Sequence, residues 1–301
     1  MERTARAILA GATTWLVAAL LLPAPASATT ATLGPPIRDG GTLRVSGTAS
    51  FANEPFVSLG SDAAADAHPG GDALGRDITG LSISTGANDT VSFRWHLSQL
   101  APTGRGIDAA YGTTFCVEPS ESPNCWSVMF VDVGGVSATN SFVAVRKCAD
   151  DPCPMVGDQW LYTLETDVYD ANAKTATATV PALELGITPG SSLRSTDAVP
   201  FGSSVFSTSA WWFLFAGAYP TWDATAIKTT HQLPTKQVSL AIGEVGQDPA
   251  QLSYGTEATI EDSRFTGDLD VSNLPAGPYA IYARACFGPA SCGYASRTVT
   301  L

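Results

Sequence analysis

The feature that most constrains the fold of this chain is the alternation of apolar and polar residues in the segment VSFRWHLSQL. Successive side chains of a strand point to opposite faces, so every second residue from Val91 to Leu97 falls on one apolar face. Arg94 and His96 fall with the serines on the other face. The segment therefore predicts a half-buried antiparallel strand. A lone strand histidine such as His96 is more typical of a protein surface than of a catalytic site.

The same period of two recurs along the chain. Examples are TLRVSGTAS, DITGLSIS, CWSVMFVDV, SFVAVRKC and TATATV, and the turns between strands carry GAND, SESPN and DANAK. No long segment has a helical period. We therefore predict an all-β chain with a larger antiparallel β-sandwich over residues 33–230, a linker at 231–236, and a small Ig-like or fibronectin-like β-sandwich over 236–301.

The chain begins with the pattern of a secretory signal peptide. Arg3 and Arg6 precede an apolar run at residues 7–22, and the small residues Ala-Ser-Ala end at Ala28. We expect residues 1–28 to be removed and the mature protein to be secreted. The alternative, an uncleaved anchor helix, is disfavoured because the apolar run is short for a membrane span. No second apolar run of spanning length follows.

The charge balance argues against two classes of partner. The chain has 16 Lys and Arg residues against 28 Asp and Glu residues, a net charge of -12. An acidic surface of this kind repels nucleic acid and anionic membranes, so we expect neither as a partner. Hydrophobic residues make up 45% of the chain, which is enough to build a sizeable core.

All six cysteines follow the predicted signal peptide and occur in three close pairs around turn residues, CVEPSESPNC, CADDPC and CFGPASC. A structural zinc site needs four ligands, commonly with CxxC spacing, and that spacing does not occur. In an oxidising compartment the simplest assignment is three local disulfides. The predicted bonds are Cys116–Cys125, Cys148–Cys153 and Cys286–Cys292.

Two regions resemble known modules. GGDALGRDITGLSISTGANDTVSFRWHLSQL, followed by TATATVPALELGITPGSSL, is similar to the DOMON-like and family 9 carbohydrate-binding-like sandwiches of bacterial secreted proteins, over about Phe56 to Leu193. GDLDVSNLPAGPYAIYARAC and GYASRTVTL resemble C-terminal Ig-like modules of exported bacterial proteins. The resemblance implies sugar binding, haem binding or a linking role. The tryptophan pair of sugar-binding members and the Met–His pair of haem-binding members have no residue-by-residue match here.

Four aspartates lie in the loop DAAADAHPGGDALGRD. Asp62, Asp66, Asp72 and Asp77, with nearby glycines and His68, offer the oxygen-rich environment that calcium prefers. Their spacing matches neither an EF-hand nor a nonapeptide calcium repeat. The alternatives are a solvated loop in which aspartate forms turns, which we favour, or a catalytic carboxylate. Calcium is the one cofactor that the sequence suggests.

Aromatic residues are densest in SAWWFLFAGAYPTW. Neighbouring residues of a strand point to opposite faces, so Trp211 and Trp212 cannot both lie in one core. Together with Tyr219 and Trp222 they are candidates for a ligand-binding or partner-binding surface. The alternative is a last strand buried between the two domains. Trp95 and Trp126 lie in strand patterns and are expected to be buried.

These observations favour a secreted, non-catalytic binding module for an extracellular glycan or cell surface. The alternative is a structural or partner-binding exported protein with no small-molecule site. A secreted hydrolase is a third hypothesis, since acidic residues are abundant. The chain contains no GxSxG, HExxH, GxGxxG or P-loop motif, and no pair of carboxylates stands out as catalytic.

The calcium hypothesis predicts a stability change. If the aspartate loop binds calcium, millimolar calcium should raise the melting temperature, because a ligand bound only to the folded state stabilises it. Asp72→Ala should abolish the increase. Calorimetric melting with and without calcium measures this, and identical curves for the unmodified chain would support the solvated loop instead.

Overall fold

The structure, a computed structural model, describes most of the chain after the predicted signal peptide. The described residues are 28–64, 66, 77–98, 109–119, 124–132, 141–148, 153–154, 161–163, 167–170, 172–195, 198–199, 205–208, 222–225, 230–288 and 291–301. The predicted signal peptide lies outside them, except for Ala28. None of the described residues belongs to a helix long and apolar enough to cross a membrane.

The described chain is built from strands. The first three are β1 (Thr30–Leu33), β2 (Ile37–Asp39) and β3 (Thr42–Ser50). The next ten are β4 (Val57–Ser61), β5 (Ile78–Gly86), β6 (Thr90–Leu97), β7 (Ala109–Glu118), β8 (Cys125–Asp132), β9 (Ser141–Cys148), β10 (Cys153–Pro154), β11 (Leu161–Thr163), β12 (Asp167–Asp170) and β13 (Thr175–Pro181).

Eleven further strands follow. The first five are β14 (Ser192–Ser195), β15 (Ala198–Val199), β16 (Val205–Thr208), β17 (Trp222–Thr225) and β18 (Thr230–Gln232). The last six are β19 (Lys236–Gly243), β20 (Thr256–Glu257), β21 (Thr259–Glu261), β22 (Arg264–Asp270), β23 (Pro278–Phe287) and β24 (Cys292–Thr300). The only helical segments among the described residues are two 3₁₀ turns, Ala182–Leu185 and Pro249–Gln251.

The strands form four antiparallel sheets and one parallel two-stranded pair, β10–β15. Sheet I has the order β1-β3-β22-β21, with β2 paired to β3, and sheet II has the order β20-β19-β23-β24. Sheet III has the order β12-β13-β6-β5-β4. Sheet IV has the order β11-β9-β8-β7-β14-β18, with β16 paired to β7 and β17 paired to β16. The predicted all-β class is confirmed.

Sheets I and II share one hydrophobic cluster and together form the terminal unit. Leu43 and Val45 of β3 and Phe265 of β22 bury their side chains with Leu240 of β19 and Ile281 of β23. Strands from near the two ends of the described part of the chain therefore share one core. The sequence analysis expected residues 236–301 to form a module of their own and placed β3 in the larger sandwich over residues 33–230, so the contribution of β3 to this unit was not expected.

The pairing of β3 with β22 explains this difference. Seven residue pairs join the two strands, from Thr42 opposite Asp270 to Thr48 opposite Arg264. Gly47 lies in the middle of β3, and a Cβ atom there would collide with the carbonyl oxygen of Thr32 and the ring of Phe265. Alternation within β3 predicts a strand but carries no information about a partner more than 200 positions away.

Sheets III and IV share a second cluster and form the central unit. Trp95 of β6 is fully buried and its Nε1 donates a hydrogen bond of 3.2 Å to the carbonyl oxygen of Gly112 on β7. The rings of Phe93 and Phe115 stack with their centroids 5.1 Å apart. One hydrogen bond and one aromatic contact thus join the inner faces of the two sheets. The apolar face predicted for β6 is confirmed.

Two short connections join the units. In the first, the amide of Glu54 donates a 2.9 Å hydrogen bond to the carbonyl oxygen of Thr85. In the second, the amide of Leu233 donates to the carbonyl oxygen of Ser191, also at 2.9 Å. The central unit is therefore an insertion between β3 and β19, and a backbone hydrogen bond holds each of its two connecting segments against it.

Two of the three predicted disulfides are confirmed. Cys116–Cys125 and Cys286–Cys292 are bonded, and the members of each pair face each other on adjacent antiparallel strands. Both close the turn of a hairpin, which is why closeness in sequence identified them. Disulfides of this kind are typical of an oxidising, extracellular-type environment.

The third cysteine pair is described in part. Cys148 lies opposite Cys125 on the neighbouring strand and is disulfide-bonded. Its predicted partner, Cys153, has a side chain outside the described part of the chain, so the pairing remains a prediction.

The structure of the terminal unit predicts that Leu43→Ala destabilises the protein. Leu43 is 1% exposed, and truncating a buried leucine costs about 2–5 kcal/mol. Leu183, which is 81% exposed, provides a matched control whose change to alanine should cost less than about 0.5 kcal/mol. Urea unfolding measures both. Equal costs would contradict the position of β3 in the core.

Candidate functional site

The side chains of sheet III that point away from the core are mostly polar; Ser82 and Thr177 are buried there, and Ser92, Arg94, His96 and Thr179 are half-buried. Strand β6 alternates between buried and half-buried residues, as the sequence predicts. Its outward residues align with those of β5 and β13 because the three strands are paired in register. We define the polar face by the side chains Ser82, Ser92, Arg94, His96, Thr177 and Thr179.

Hydrogen bonds tie the polar face together across the strands. The hydroxyls of Ser92 and Thr179 are 2.7 Å apart. The Nε atom of Arg94 donates to the hydroxyl of Thr177 at 3.2 Å. On the other side of β6, the hydroxyl of Ser82 lies 2.7 Å from Nε2 of His96. These contacts fix the orientation of the charged and polar groups.

Arg94 lies against an aromatic ring. Its guanidinium carbon is 3.4 Å from the ring centroid of Phe56, the residue that precedes β4. Both residues are half-buried. Burial lowers the pKa of Arg94, and the negative charge of Asp170 partly opposes this. Arginine stays protonated throughout the physiological range, so the polar face presents a fixed positive charge beside a ring, a favourable cation–π geometry.

His96 is electrostatically coupled to that charge. Burial and, after it, the positive charge of Arg94 hold the pKa of His96 below the usual value of 6.5. The imidazole is therefore neutral at neutral pH and can accept or donate a hydrogen bond on either ring nitrogen, depending on its tautomer.

The predicted calcium ligands are only partly brought together. Oδ1 of Asp77, a fully buried residue, accepts a hydrogen bond of 3.3 Å from the amide of Asp66. Oδ1 of Asp62 accepts from the amide of Ala63 at 2.9 Å. These are loop-stabilising contacts between carboxylates and backbone amides. Asp72 lies outside the described residues, so calcium binding remains a prediction.

The described part of the chain was also compared with the ligand sets that hold metal ions. No group of three or more His, Cys, Asp or Glu residues among these residues is arranged to hold a metal ion. The residues of the polar face instead offer hydroxyl, imidazole and guanidinium groups, which suit hydrogen bonding to an organic ligand.

The aromatic candidates lie largely outside the described residues. Trp211, Trp212 and Tyr219 are among the residues not described. Trp222 begins β17, where its backbone pairs with Thr208 of β16, but its side chain is outside the description. The proposed ligand role of all four residues remains a prediction.

The prediction that two other tryptophans are buried is confirmed. Trp95 is 0% exposed and Trp126 is 6% exposed. Nε1 of Trp126 donates a 2.9 Å hydrogen bond to Oδ1 of Asn124, so its one polar atom is satisfied.

Sequence reasoning found the polar side of β6 but assigned it no ligand role. Arg94 and His96 were expected to lie on an ordinary protein surface, and no role was predicted for Phe56 or Thr177. The available signal was an arginine within a strictly alternating strand, because the alternation places it on the face opposite the core. The position of the Phe56 ring over that arginine depends on how β4 pairs with β5, which the sequence does not specify.

Comparison of the chain with protein-family models, with curated proteins and with solved structures found no match. The chain is an all-β protein with several antiparallel sheets, and no family is identified for it. The resemblance to carbohydrate-binding-like and Ig-like modules rests on the short motifs alone.

The contact between Arg94 and His96 predicts a pKa change. Arg94→Met should raise the pKa of His96, because the substitution removes a positive charge that disfavours protonation. The matched change Arg44→Met, at an exposed ion pair with Asp268 in sheet I, should leave it unaltered. NMR titration of the imidazole measures both, and an unchanged pKa in Arg94→Met would contradict the coupling.

The same shift makes stability depend on pH. The unfolded chain binds a proton at His96 more readily than the folded chain does, so protonation favours unfolding. The contribution is fully present above pH 6.5 and falls as the pH drops below it. Chemical unfolding of His96→Asn should therefore show a weaker loss of stability in acid than the unmodified chain shows.

Proposed function

We propose that this protein is a secreted, non-catalytic binding protein whose polar face takes an extracellular glycan. The observation that carries the proposal is the row of preorganised hydrogen-bonding groups around Arg94, with the ring of Phe56 beside it. Binding sites combine a few fixed polar groups with an aromatic or apolar surface, and this arrangement meets that requirement.

The chemistry of the polar face suits a ligand rich in hydroxyl groups. Ser92 and Thr179 supply hydroxyls that both donate and accept, and His96 supplies a ring nitrogen. Neighbouring strands are about 4.8 Å apart, so these groups stand in rows that a sugar chain lying across the strands contacts in succession. Their mutual hydrogen bonds lower the entropy lost on binding, because the side chains are already ordered.

The wider architecture supports the same proposal. Each pair of sheets shares one hydrophobic cluster, and we interpret the central and terminal units as two β-sandwiches. The disulfides favour an exported protein. In this proposal the terminal unit acts as a spacer or contact module, and the aromatic run that contains Trp211, Trp212 and Trp222 is a second candidate surface for the same ligand.

The experiment is a pull-down of the purified protein on cellulose, chitin and cell-wall fractions. The unmodified protein should bind at least one fraction. Ser92→Ala combined with Thr179→Val removes one cross-strand hydroxyl pair and should weaken binding about tenfold, since each hydrogen bond contributes about 0.5–1.5 kcal/mol.

The chain offers a closely matched control. Thr32 and Thr48 form an equivalent cross-strand hydroxyl pair on sheet I, with their oxygens 2.6 Å apart. Thr32→Val combined with Thr48→Val should leave binding unaltered. Equal loss in both double variants would remove the polar face as the site. No binding to any fraction by the unmodified protein would reject the glycan proposal and favour a structural role.

Alanine substitutions in the aromatic run test the second surface separately. Loss of binding in Trp211→Ala, Trp212→Ala or Trp222→Ala without loss of stability would place the glycan there. A buried tryptophan would instead reveal itself by a destabilisation of about 3–5 kcal/mol.

A further inference from the structure

The guanidinium of Arg94 makes one aromatic contact and one hydrogen bond with the described residues. One of its faces lies against Phe56, and its Nε–H bonds to Thr177. Within the described residues, the Nε–H to Thr177 is the hydrogen bond that the guanidinium makes, and the terminal nitrogens Nη1 and Nη2 make none. Their four N–H groups therefore have no hydrogen-bond acceptor among the described residues.

Among the residues that the structure describes, no carboxylate forms an ion pair with Arg94. Asp170 is the acidic residue whose charge acts on Arg94. Oδ1 of Asp170 is occupied by the amides of Asn172 and Ala173, at 2.9 and 3.0 Å. A half-buried charge without a hydrogen-bonded counter-ion is costly, and an incoming anion recovers that cost.

The geometry restricts the kind of anion. A guanidinium presents its terminal donors in a planar fork that matches the two oxygens of a carboxylate. Stacking on Phe56 and the bond to Thr177 fix the plane of this fork. A compact ammonium group would attract any anion, whereas a fixed fork favours one that accepts two parallel hydrogen bonds.

We propose that the ligand of the polar face is a carboxylated glycan, such as a polymer of uronic acids, whose carboxylate is bound in a bidentate manner by Arg94. The hydroxyls of Ser92 and Thr179 then contact the sugar ring that bears the carboxylate or its neighbour. This inference rests on the glycan-binding function proposed above and names the chemical class of its ligand.

The net charge of the protein gives the interaction a distinctive salt dependence. The chain carries a net charge of -12, so its overall field opposes an acidic polymer, and only a local contact attracts it. Salt screens the long-range repulsion with a Debye length of about 10 Å at 0.1 M, while a half-buried contact is screened less. Affinity should therefore hold or increase as salt rises moderately, unlike binding to a basic surface.

The test uses the full mature protein and titration calorimetry. Polygalacturonate, alginate and hyaluronan are compared with their methyl esters, with neutral soluble cellulose oligosaccharides, and with dextran sulfate. We expect at least one acid form to bind about tenfold more tightly than its ester, because hydrogen bonds to a charged group are the stronger kind. Esterification removes the charge and leaves the sugar rings intact.

Variants of Arg94 identify the residue responsible. Arg94→Lys keeps the charge but loses the fork, so it should reduce the preference for acid over ester, and Arg94→Met, which loses both, should abolish it. The control Arg44→Lys changes an exposed arginine of sheet I that is paired with Asp268, and it should keep the preference. Melting temperatures for these variants separate loss of binding from loss of folding. If Arg94→Lys fails to fold, Thr177→Val, which frees the fork from its anchor, should reduce the same preference.

The outcomes distinguish this inference from the function on which it rests. Equal binding of acids and esters, or binding of neutral oligosaccharides alone, overturns the carboxylate inference and leaves glycan binding intact. Preference for dextran sulfate over every uronic acid polymer also overturns it, in favour of a sulfated ligand. No binding in any arm rejects both.

Discussion

The antiparallel pairing of β3 with β22 is the contact on which the rest of the architecture depends. It joins residues near the start of the described chain to residues near its end, and one exposed ion pair along it, Arg44 with Asp268, spans 224 positions. Because β3 and β19 are held in one core, everything between them has to form a closed insertion. Such long-range contacts carry a large loop-closure entropy, so the terminal unit is expected to form after the central unit.

The polar face depends on register in the same way. Arg94 lies opposite Thr177, and a shift of one residue between β6 and β13 would move the guanidinium into the core and Trp95 into solvent. The burial of Trp95 and its hydrogen bond to Gly112 make that shift prohibitively costly. The packing of one side of β6 thus holds the chemistry of its other side in place.

Local patterns were sufficient for part of this structure. Alternation predicted β6 and its buried face, and the short spacing of Cys116 and Cys125 predicted their bond, because in both cases the partners are close in sequence. The choice of β22 as the partner of β3 could not be predicted, since many strands of the chain share the same alternation of apolar and polar residues and the pattern does not select one of them. The ring of Phe56 over Arg94 is likewise a tertiary contact without a local signature.

The position of the outermost strands determines how the molecule would carry a mechanical load. Strands β1 and β24 belong to sheets I and II of the terminal unit. They begin side by side, because the hydroxyl of Thr29, just before β1, lies 2.7 Å from that of Ser291, just before β24. Tension applied between β1 and β24 is resisted first by the sheets of that unit. The central unit is inserted between β3 and β19, so we expect the load to reach its polar face only after the terminal unit opens. A protein built in this way can be pulled from its outermost strands while its candidate binding surface stays folded.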